Sequence, residues 1–338
     1  MDGSGVEELR PRIAPVPRGI ERPFWSVMIP TFNCGAYLEE TLKSVLVQDP
    51  GPEHMQIEVV DDCSTTGDPG EIVQRVGRGR VAFHRRTVNG GHRANFRTCL
   101  ERSLGHWVHL LHGDDAVRSG FYAKLQAGIE TAPEVGAAFT RFSYMDEHGL
   151  EFLVSDLERI ESGVLECWLE RIAVRQLIQT PSIVVRREVY ETLGLFDARL
   201  SWVEDWEMWA RIAAHWPVWF ETEPLARYRM HSQSNTGRYL RTGENLRDVR
   251  RAVSIINRYL PAATAAELKT RSLRFWATDA LENRARALAR AGDWSGALTQ
   301  VGGAVRCSPS FPIGVKAAKI VTVIAGLALC RAIRPIAH

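Results

Sequence analysis

The first apolar run of the chain, Trp25-Ser-Val-Met-Ile-Pro-Thr31, is short and stopped by Pro30, which predicts a strand. A turn at Phe32-Asn-Cys-Gly35 follows. Leu38, Leu42, Val45 and Leu46 then recur at helical spacing, so a helix is expected from Ala36 to Gln48, closed by Pro50-Gly51-Pro52. Ile57–Val60, Val81–His84 and Trp107–Leu111 repeat the strand signal, with helical stretches near Glu71–Val76 and Arg93–Leu104 between them. Strand alternating with helix at this spacing predicts βαβ units and a parallel sheet with right-handed crossovers. Each of the four strands runs into polar or acidic residues, so one edge of the sheet collects the chemistry. That edge is where open α/β sheets bind ligands.

The second half is less regular. Helices are expected at Phe121–Glu130, Leu165–Leu177 and Glu204–Ala214, and strands at Gly136–Ser143, Ser182–Val185, Val218–Phe220 and Ala226–Arg229. Asp146–Gly163 has no clear period and reads as an exposed, mobile segment. From about Glu244 the chain turns helical, and Ala280–Pro309 has the texture of one helical hairpin of tetratricopeptide type. A single such unit cannot bury itself, so it should pack on the rest of the chain or on a partner. Ile320–Cys330 is uncharged and flanked by Lys316, Lys319, Arg331 and Arg334. Eleven residues are too few to cross a bilayer as a helix. A helix docked on the domain and a segment lying on anionic lipid both remain open. The expected organisation is a disordered arm over residues 1–23, a domain over 24–240 and a helical region with an apolar tail over 241–338.

Composition narrows the class. At 338 residues the chain can bury a full core plus an appendage, and a net charge of +2 gives no case for nucleic acid. Cys34, Cys63, Cys99, Cys167, Cys307 and Cys330 are scattered without zinc-like spacing, as expected of reduced thiols in a cytoplasmic protein. Met1–Arg22 is charged and rich in proline and glycine, so no signal peptide is expected there.

The candidate chemistry is acidic. Asp114-Asp115 directly follows the strand at Trp107–Leu111, and adjacent acids at a strand end repel unless a cation lies beside them. A divalent metal held with nucleotide phosphates is one answer; a solvated Gly-Asp-Asp turn is the other. Asp61-Asp62 forms a second pair after the second strand. Arg93 stands at a helix start after a glycine turn, where it can neutralise a diphosphate together with the helix N-terminus, or simply face solvent. Glu204-Asp205 opens a helix, so these acids either cap it or act as bases. Trp206 and Trp209 read as packing.

Five segments in order, Pro30-Thr31-Phe32-Asn33, the amphipathic helix with Ser44-Val-Leu-Val-Gln48, Glu58-Val-Val-Asp-Asp-Cys-Ser64, Asn89-x-Gly91 with Arg93-Ala-Asn95, and Gly113-Asp-Asp115, together resemble family-2 glycosyltransferases of the GT-A fold over Trp25–Asn235, and Tyr228-Arg-Met-His231 resembles the family's segment after the last strand. The resemblance implies an α/β, Rossmann-like fold with a mostly parallel central sheet flanked by helices, here with a C-terminal helical extension. It implies an inverting, metal-dependent transfer of a sugar from a UDP- or dTDP-sugar to an acceptor hydroxyl. By the same resemblance Pro30, Thr31, Phe32 and Asn33 pack the nucleotide base, Asp62 accepts its N3–H, and Arg93 meets the diphosphate. Asp114 bonds ribose or sugar hydroxyls, Asp115 ligates Mn²⁺ or Mg²⁺, and His231 completes the metal shell or contacts the diphosphate. Asp205 is the expected base, with Glu204 second, and Trp202 is placed to meet the acceptor. One letter departs from the pattern: the position two before the acid pair is commonly acidic, and here it is His112. A neutral histidine removes a negative charge and would alter metal preference; it is expected behind the ligands rather than among them. The acceptor, whether glycan, lipid-linked glycan or small molecule, is not specified, and the apolar tail makes peripheral membrane contact an open expectation. A non-catalytic nucleotide-sugar-binding or assembly protein on the same fold is the rival reading. A nicotinamide-dependent dehydrogenase is excluded, since Pro30-Thr31 stands where Gly-x-Gly-x-x-Gly would follow the first strand.

Overall fold

The computed structural model describes residues 9–231 and 235–333. Its contacts separate two compact units. The first holds Met1–Trp168, Leu177–Asp197 and His215–His231; the second holds Leu169–Gln176, Ala198–Ala214 and Ser232–His338.

The first unit opens with the expected alternation: β1 (Trp25–Thr31), α1 (Gly35–Leu46), β2 (Met55–Asp61), α2 (Pro69–Gly77), β3 (Ala82–Arg85), α3 (His92–Arg102) and β4 (Trp107–Leu110). β1 pairs in parallel with β2 on one side and β4 on the other, and β2 with β3, so all four strands end at one edge. Every residue of β1 and β4 is buried, as expected of strands covered on both faces. Short β5 (Ala116–Val117), α4 (Phe121–Thr131), β6 (Ala137–Met145), β7 (Glu151–Val154) and β8 (Gly163–Val164) come next. The remainder of this unit is β9 (Ile183–Arg186), α6 (Arg187–Leu193) and β10 (Val218–Arg229), with α5 (Trp168–Ile172) preceding β9 and α7 (Glu204–Ala213) preceding β10 in the chain. The sheet order is β3-β2-β1-β4-β9-β6-β10-β5, with β7 on β6 and β8 on β10. β9 runs antiparallel to both β4 and β6, while β6 and β10 pair in parallel, so the sheet is mixed.

Several expectations shift. The helix expected over Leu165–Leu177 shrinks to α5. The two short strands become one, β10, whose register slips on either side of Pro224 because proline has no N–H to give the ladder. The Asp146–Gly163 segment is exposed as expected, but it contains β7, paired with β6 across a turn at Asp146–Gly149. The arm over residues 1–23 also differs. Residues 1–8 lie outside those described, and beyond them Arg10 Nε donates to the fully buried Asp197 at 2.8 Å and Ile13 is buried. A buried carboxylate needs a cationic partner, and the arm supplies it.

In the second unit, α8 (Asn235–Thr242), α9 (Glu244–Ile256), α10 (Ala262–Asp279), a π-turn over Ala280–Ala285, α11 (Arg286–Ala291), α12 (Trp294–Cys307) and α13 (Phe311–Ile333) follow in sequence. The π-turn and α11 fold back against α12 as the expected hairpin, and α12 packs in turn on α13. The tail is longer than its uncharged stretch implied. Lys316 and Lys319 lie within a helix of 23 residues, and Phe311–Leu329 is long and apolar enough to cross a membrane by length and composition. One face, with Ile313, Ala317, Ile320 and Ile324, is buried, while Phe311, Val315, Val321, Val323 and Leu329 are exposed.

Packing in the first unit is tight where α4 crosses β10. A Cβ on Gly128 would overlap the Trp219 indole. Gly128→Ala should therefore cost about 1–3 kcal/mol of stability, read as a lower melting temperature by circular dichroism; an unchanged midpoint would show that the indole gives way freely.

Candidate functional site

The turn after β4 is stitched to the end of β1. Leu111 N–H bonds Met28 O at 3.0 Å and Gly113 N–H bonds Pro30 O at 3.1 Å. Gly113 has no room for a side chain: a Cβ would sit 2.6 Å from Thr31 Cγ2 and 2.7 Å from Cys34 Sγ. Asp115 N–H closes the turn on His112 O at 3.0 Å. The result places the expected acid pair at the C-terminal edge of the parallel strands.

The two acids have different surroundings. Asp114 is partly exposed, and its Oδ2 meets His231 Nε2 at 2.9 Å. Burial opposes its ionisation, but the His231 hydrogen bond and the nearby His112 hold its carboxyl below the ordinary range. Asp115 is 1% exposed. Its Oδ1 accepts the Arg229 N–H at 2.8 Å, whereas Oδ2 has no hydrogen-bond partner among the described residues. Burial and the adjacent Asp114 charge push the Asp115 carboxyl up. His112 Nδ1 lies 3.5 Å from Asp115 Oδ2, and its ring stacks on Phe96 with centroids 5.2 Å apart and planes 10° apart. Ligand-type atoms of His112, Asp114 and Asp115 all fall within 4.8 Å of one another. An unpartnered buried carboxylate oxygen in a set of two carboxylates and an imidazole fits a divalent cation. His112, expected behind the ligands, is inside this cluster. His231, expected to complete the metal shell or contact the diphosphate, lies beside the cluster with its Nε2 2.9 Å from Asp114 Oδ2.

Arg229 was not singled out from sequence, although it lies in the Tyr228-Arg-Met-His231 segment. It is 4% exposed. Besides the N–H given to Asp115, its Nε donates to Asp114 O at 2.8 Å and its Nη1 to Asp146 O at 3.1 Å. Its Nη2 pairs with Glu40, and the guanidinium lies 4.6 Å from the Tyr37 ring centroid. Arg227 joins Glu40 at 2.6 Å and Glu151 at 3.0 Å, so the β6–β7 turn, α1 and the acid pair share one ionic network. The visible signal was two arginines at alternate positions of a strand end.

The ends of β1 and β2 are equally bound up. Thr31 is buried, and its hydroxyl donates toward Asp61 Oδ1 at 3.3 Å. Asp61 is fully buried and accepts from Ser64 N–H at 3.1 Å. Asn33 adopts a left-handed backbone, φ 54°, and its Oδ1 accepts the N–H groups of Thr65 at 2.8 Å and Thr66 at 3.1 Å. Pro30 is buried and Phe32 is 47% exposed, so the phenyl ring is the surface this turn offers. Asp62 accepts the Gly90 and Gly91 N–H groups at 3.0 and 2.8 Å and pairs with Arg86. It thereby shapes the glycine turn that opens α3, on whose first turn Arg93 lies half-buried. Buried His109 looks catalytic by type alone, yet Nε2–H must donate to Pro181 O at 3.0 Å, leaving Nδ1 to accept Tyr122 O–H at 3.0 Å. Burial lowers its pKa to about 3, so it is a neutral core residue.

Glu204 and Asp205 belong to the second unit, on the first turn of α7. Asp205 Oδ1 accepts the Trp206 N–H at 2.7 Å, and Oδ2 accepts from Gln176 Nε2 at 2.8 Å. Burial and the Glu204 charge raise its pKa to about 7. Trp206 and Trp209 are buried as expected. Trp202, expected toward an acceptor, is edge-on to Trp276 at 5.9 Å with Arg284 4.7 Å from its ring centroid. Asp248 fastens the preceding loop, its Oδ2 accepting the N–H groups of Ser201, Trp202 and Val203 at 2.9, 2.8 and 3.2 Å.

A family profile described as Glycosyl transferase family 2 matches residues 26–194. The putative teichuronic acid biosynthesis glycosyltransferase TuaG of Bacillus subtilis is 31% identical over 189 residues, 52% of this chain and 72% of its own length. The uncharacterized protein MT1568 of Mycobacterium tuberculosis is 27% identical over 255 residues, 69% of this chain and 75% of its own. Among solved structures, S. aureus TarS 1–349 in complex with UDP-GlcNAc is similar with a TM-score of 0.64 at 16% identity, covering 84% of this chain and 81% of that one. The mannosyltransferase PcManGT of Pyrobaculum calidifontis, in complex with GDP-Man and Mn²⁺, gives 0.57 at 18% identity over 96% of this chain and 86% of that one.

Asp248→Ala leaves three backbone N–H groups without their acceptor, at a cost of about 3 kcal/mol, whereas Asp248→Asn keeps an acceptor and should lose less. Thermal unfolding checks the order; equal midpoints for the two variants would remove this carboxylate from the account.

Proposed function

The chain belongs to glycosyl transferase family 2, and from that membership we propose that it moves a sugar from a UDP- or dTDP-sugar to an acceptor hydroxyl with inversion. The observation that carries this reading is Asp115, a buried carboxylate at the strand edge with one oxygen left unpartnered. Asp115, with Asp114 and His231 close by, would hold Mn²⁺ or Mg²⁺, which when bound supplies positive charge to the departing diphosphate. That TarS and PcManGT are solved with UDP-GlcNAc and with GDP-Man and Mn²⁺ supports a nucleotide-sugar donor and a metal for this chain as well.

The chain's own residues then divide the work. Phe32 and the Pro30–Asn33 turn stack the base, with Asp62 holding the glycine turn opposite and accepting the base N–H. Arg93 and the N-terminus of α3 offset diphosphate charge. Asp114, oriented by His231, accepts from ribose or sugar hydroxyls. Asp205 takes the proton of the acceptor hydroxyl as its oxygen attacks the anomeric carbon, and the bond to the diphosphate oxygen breaks on the opposite face. Burial, and then the charge of Glu204 beside it, raises the Asp205 pKa to about 7. The rival reading, binding without catalysis, predicts no sugar transfer or donor hydrolysis with added Mn²⁺.

Asp115→Asn and Asp205→Asn should each lower transfer by about 10²-fold or more with the far-ultraviolet spectrum unchanged. A base must be ionised to accept a proton, so kcat/KM should fall as pH drops below about 7, the Asp205 value, and that limb should vanish in the residual activity of Asp205→Asn. Wild-type turnover by either variant removes the role given to it.

We assign the bare apolar face of α13 to peripheral contact with an anionic membrane from the cytoplasmic side. No Asp or Glu lies between Ser310 and His338, while Lys316, Lys319, Arg331 and Arg334 do, and such a face gains from both acyl chains and anionic headgroups. The protein should float with phosphatidylglycerol vesicles and stay down with phosphatidylcholine alone, and Phe311→Glu with Leu329→Glu should abolish flotation. Equal recovery on both lipids speaks against the assignment.

A further inference from the structure

We propose that His112 is itself a ligand of the bound cation, and that this imidazole makes the site favour Mn²⁺ or another transition metal over Mg²⁺. The inference rests on the sugar-transfer reading for its setting, but its evidence is the geometry of the turn. His112 and Asp115 are joined by a backbone hydrogen bond of 3.0 Å. The His112 ring is pressed flat on Phe96, which is itself 8% exposed and packed 5.5 Å from Phe196, so the imidazole is aimed before anything binds. Its Nδ1 stands 3.5 Å from Asp115 Oδ2. Two ligands about 2.1 Å from one cation and at right angles to each other are about 3 Å apart, so the observed gap closes onto a metal with a shift of about half an ångström.

The second observation is independent of that spacing. Asp115 is 1% exposed, and its Oδ2 is the atom without a hydrogen-bond partner among the described residues. An oxygen so placed is costly unless a cation meets it. Charge agrees with the donor set: Asp114, Asp115 and a neutral imidazole carry two negative charges, which match a divalent ion. Mg²⁺ prefers six hard oxygens and sheds water reluctantly, whereas imidazole nitrogen favours first-row transition metals. His231 is the rival imidazole, its Nε2 lying 2.9 Å from Asp114 Oδ2, and the experiment separates the two.

The test uses the full chain with Mn²⁺ and UDP and needs no turnover. Pulsed electron paramagnetic resonance of bound Mn²⁺ should show the modulation of a directly coordinated ¹⁴N nucleus. That signal should disappear in His112→Gln, which keeps the size and offers an oxygen, and persist in His231→Gln. Calorimetric titration should in parallel show His112→Asp lowering the preference for Mn²⁺ over Mg²⁺ by about tenfold or more. Absence of ¹⁴N coupling in the wild type, its persistence in His112→Gln, or its loss only in His231→Gln would overturn the proposal. Sugar transfer with no ¹⁴N coupling defeats this inference and leaves the functional reading standing; ¹⁴N coupling without transfer does the reverse.

Discussion

Everything at the sheet edge turns on keeping a carboxylate at Asp115, where water scarcely reaches it. Removing an anion from water costs several kcal/mol unless hydrogen bonds or opposite charge replace the lost hydration. Here half of the replacement is built in. The Arg229 N–H serves one oxygen directly, and the same residue's guanidinium is fastened to Asp114 O, to the β6–β7 turn and to Glu40. The other oxygen waits, with His112 beside it. A site half satisfied by protein is a site whose remaining half is specified in charge, size and direction. Those are the properties that the proposed cation site asks of an acidic turn.

The surrounding fold supplies the rigidity this needs. β1 and β4 are buried along their whole length, and the turn between β4 and β5 is bonded to the last residues of β1. Gly113 permits that approach because nothing larger fits between Thr31 and Cys34. Thr41 Oγ1 donates to Asp115 O at 2.7 Å, so α1 also fixes the acid's backbone. On the neighbouring strand, Asp61 and Asp62 spend their oxygens on Ser64 and on the Gly90-Gly91 turn. The two acid pairs follow β2 and β4, the parallel strands on either side of β1; the first pair is bonded to its own loops, and the second leaves Asp115 Oδ2 without a hydrogen-bond partner among the described residues. Adjacency in sequence does not distinguish them, but their hydrogen bonds do.

The first half of the fold was legible because each of its elements has a single period and a single stop. β1 to β4 and the helices between them lie within a few residues of where Pro30, the Pro50-Gly51-Pro52 cluster and the glycine turns put them. The second half was legible only in outline. β7 escaped because Phe152, Leu153 and Val154 are all exposed, so no inside-outside alternation marks the strand. β10 was read as two pieces because Pro224 interrupts it, although the ladder resumes beyond the irregularity. At the site, the residue types were visible and their partners were not. That His231 serves Asp114, and that Arg229 holds both acids, depends on strand β10 returning beside β5 over a sequence separation of more than a hundred residues.

The Glu204-Asp205 pair makes the same point in the opposite direction. A helix start attracts acids because its free N–H groups and dipole stabilise a carboxylate, so the pair alone would be read as a cap with a depressed pKa. Asp205 does accept an N–H, from Trp206, and a side-chain donor, from Gln176, and both favour the ionised form. They are outweighed by burial and by Glu204, and the group ends near 7. Capping fixes the carboxylate's direction while its surroundings set its proton affinity. A general base requires both at once: an oxygen held still, and a proton affinity close to the pH at which it works. The helix dipole that argues for a merely structural acid is thus also one of the two conditions that the base proposed at Asp205 requires.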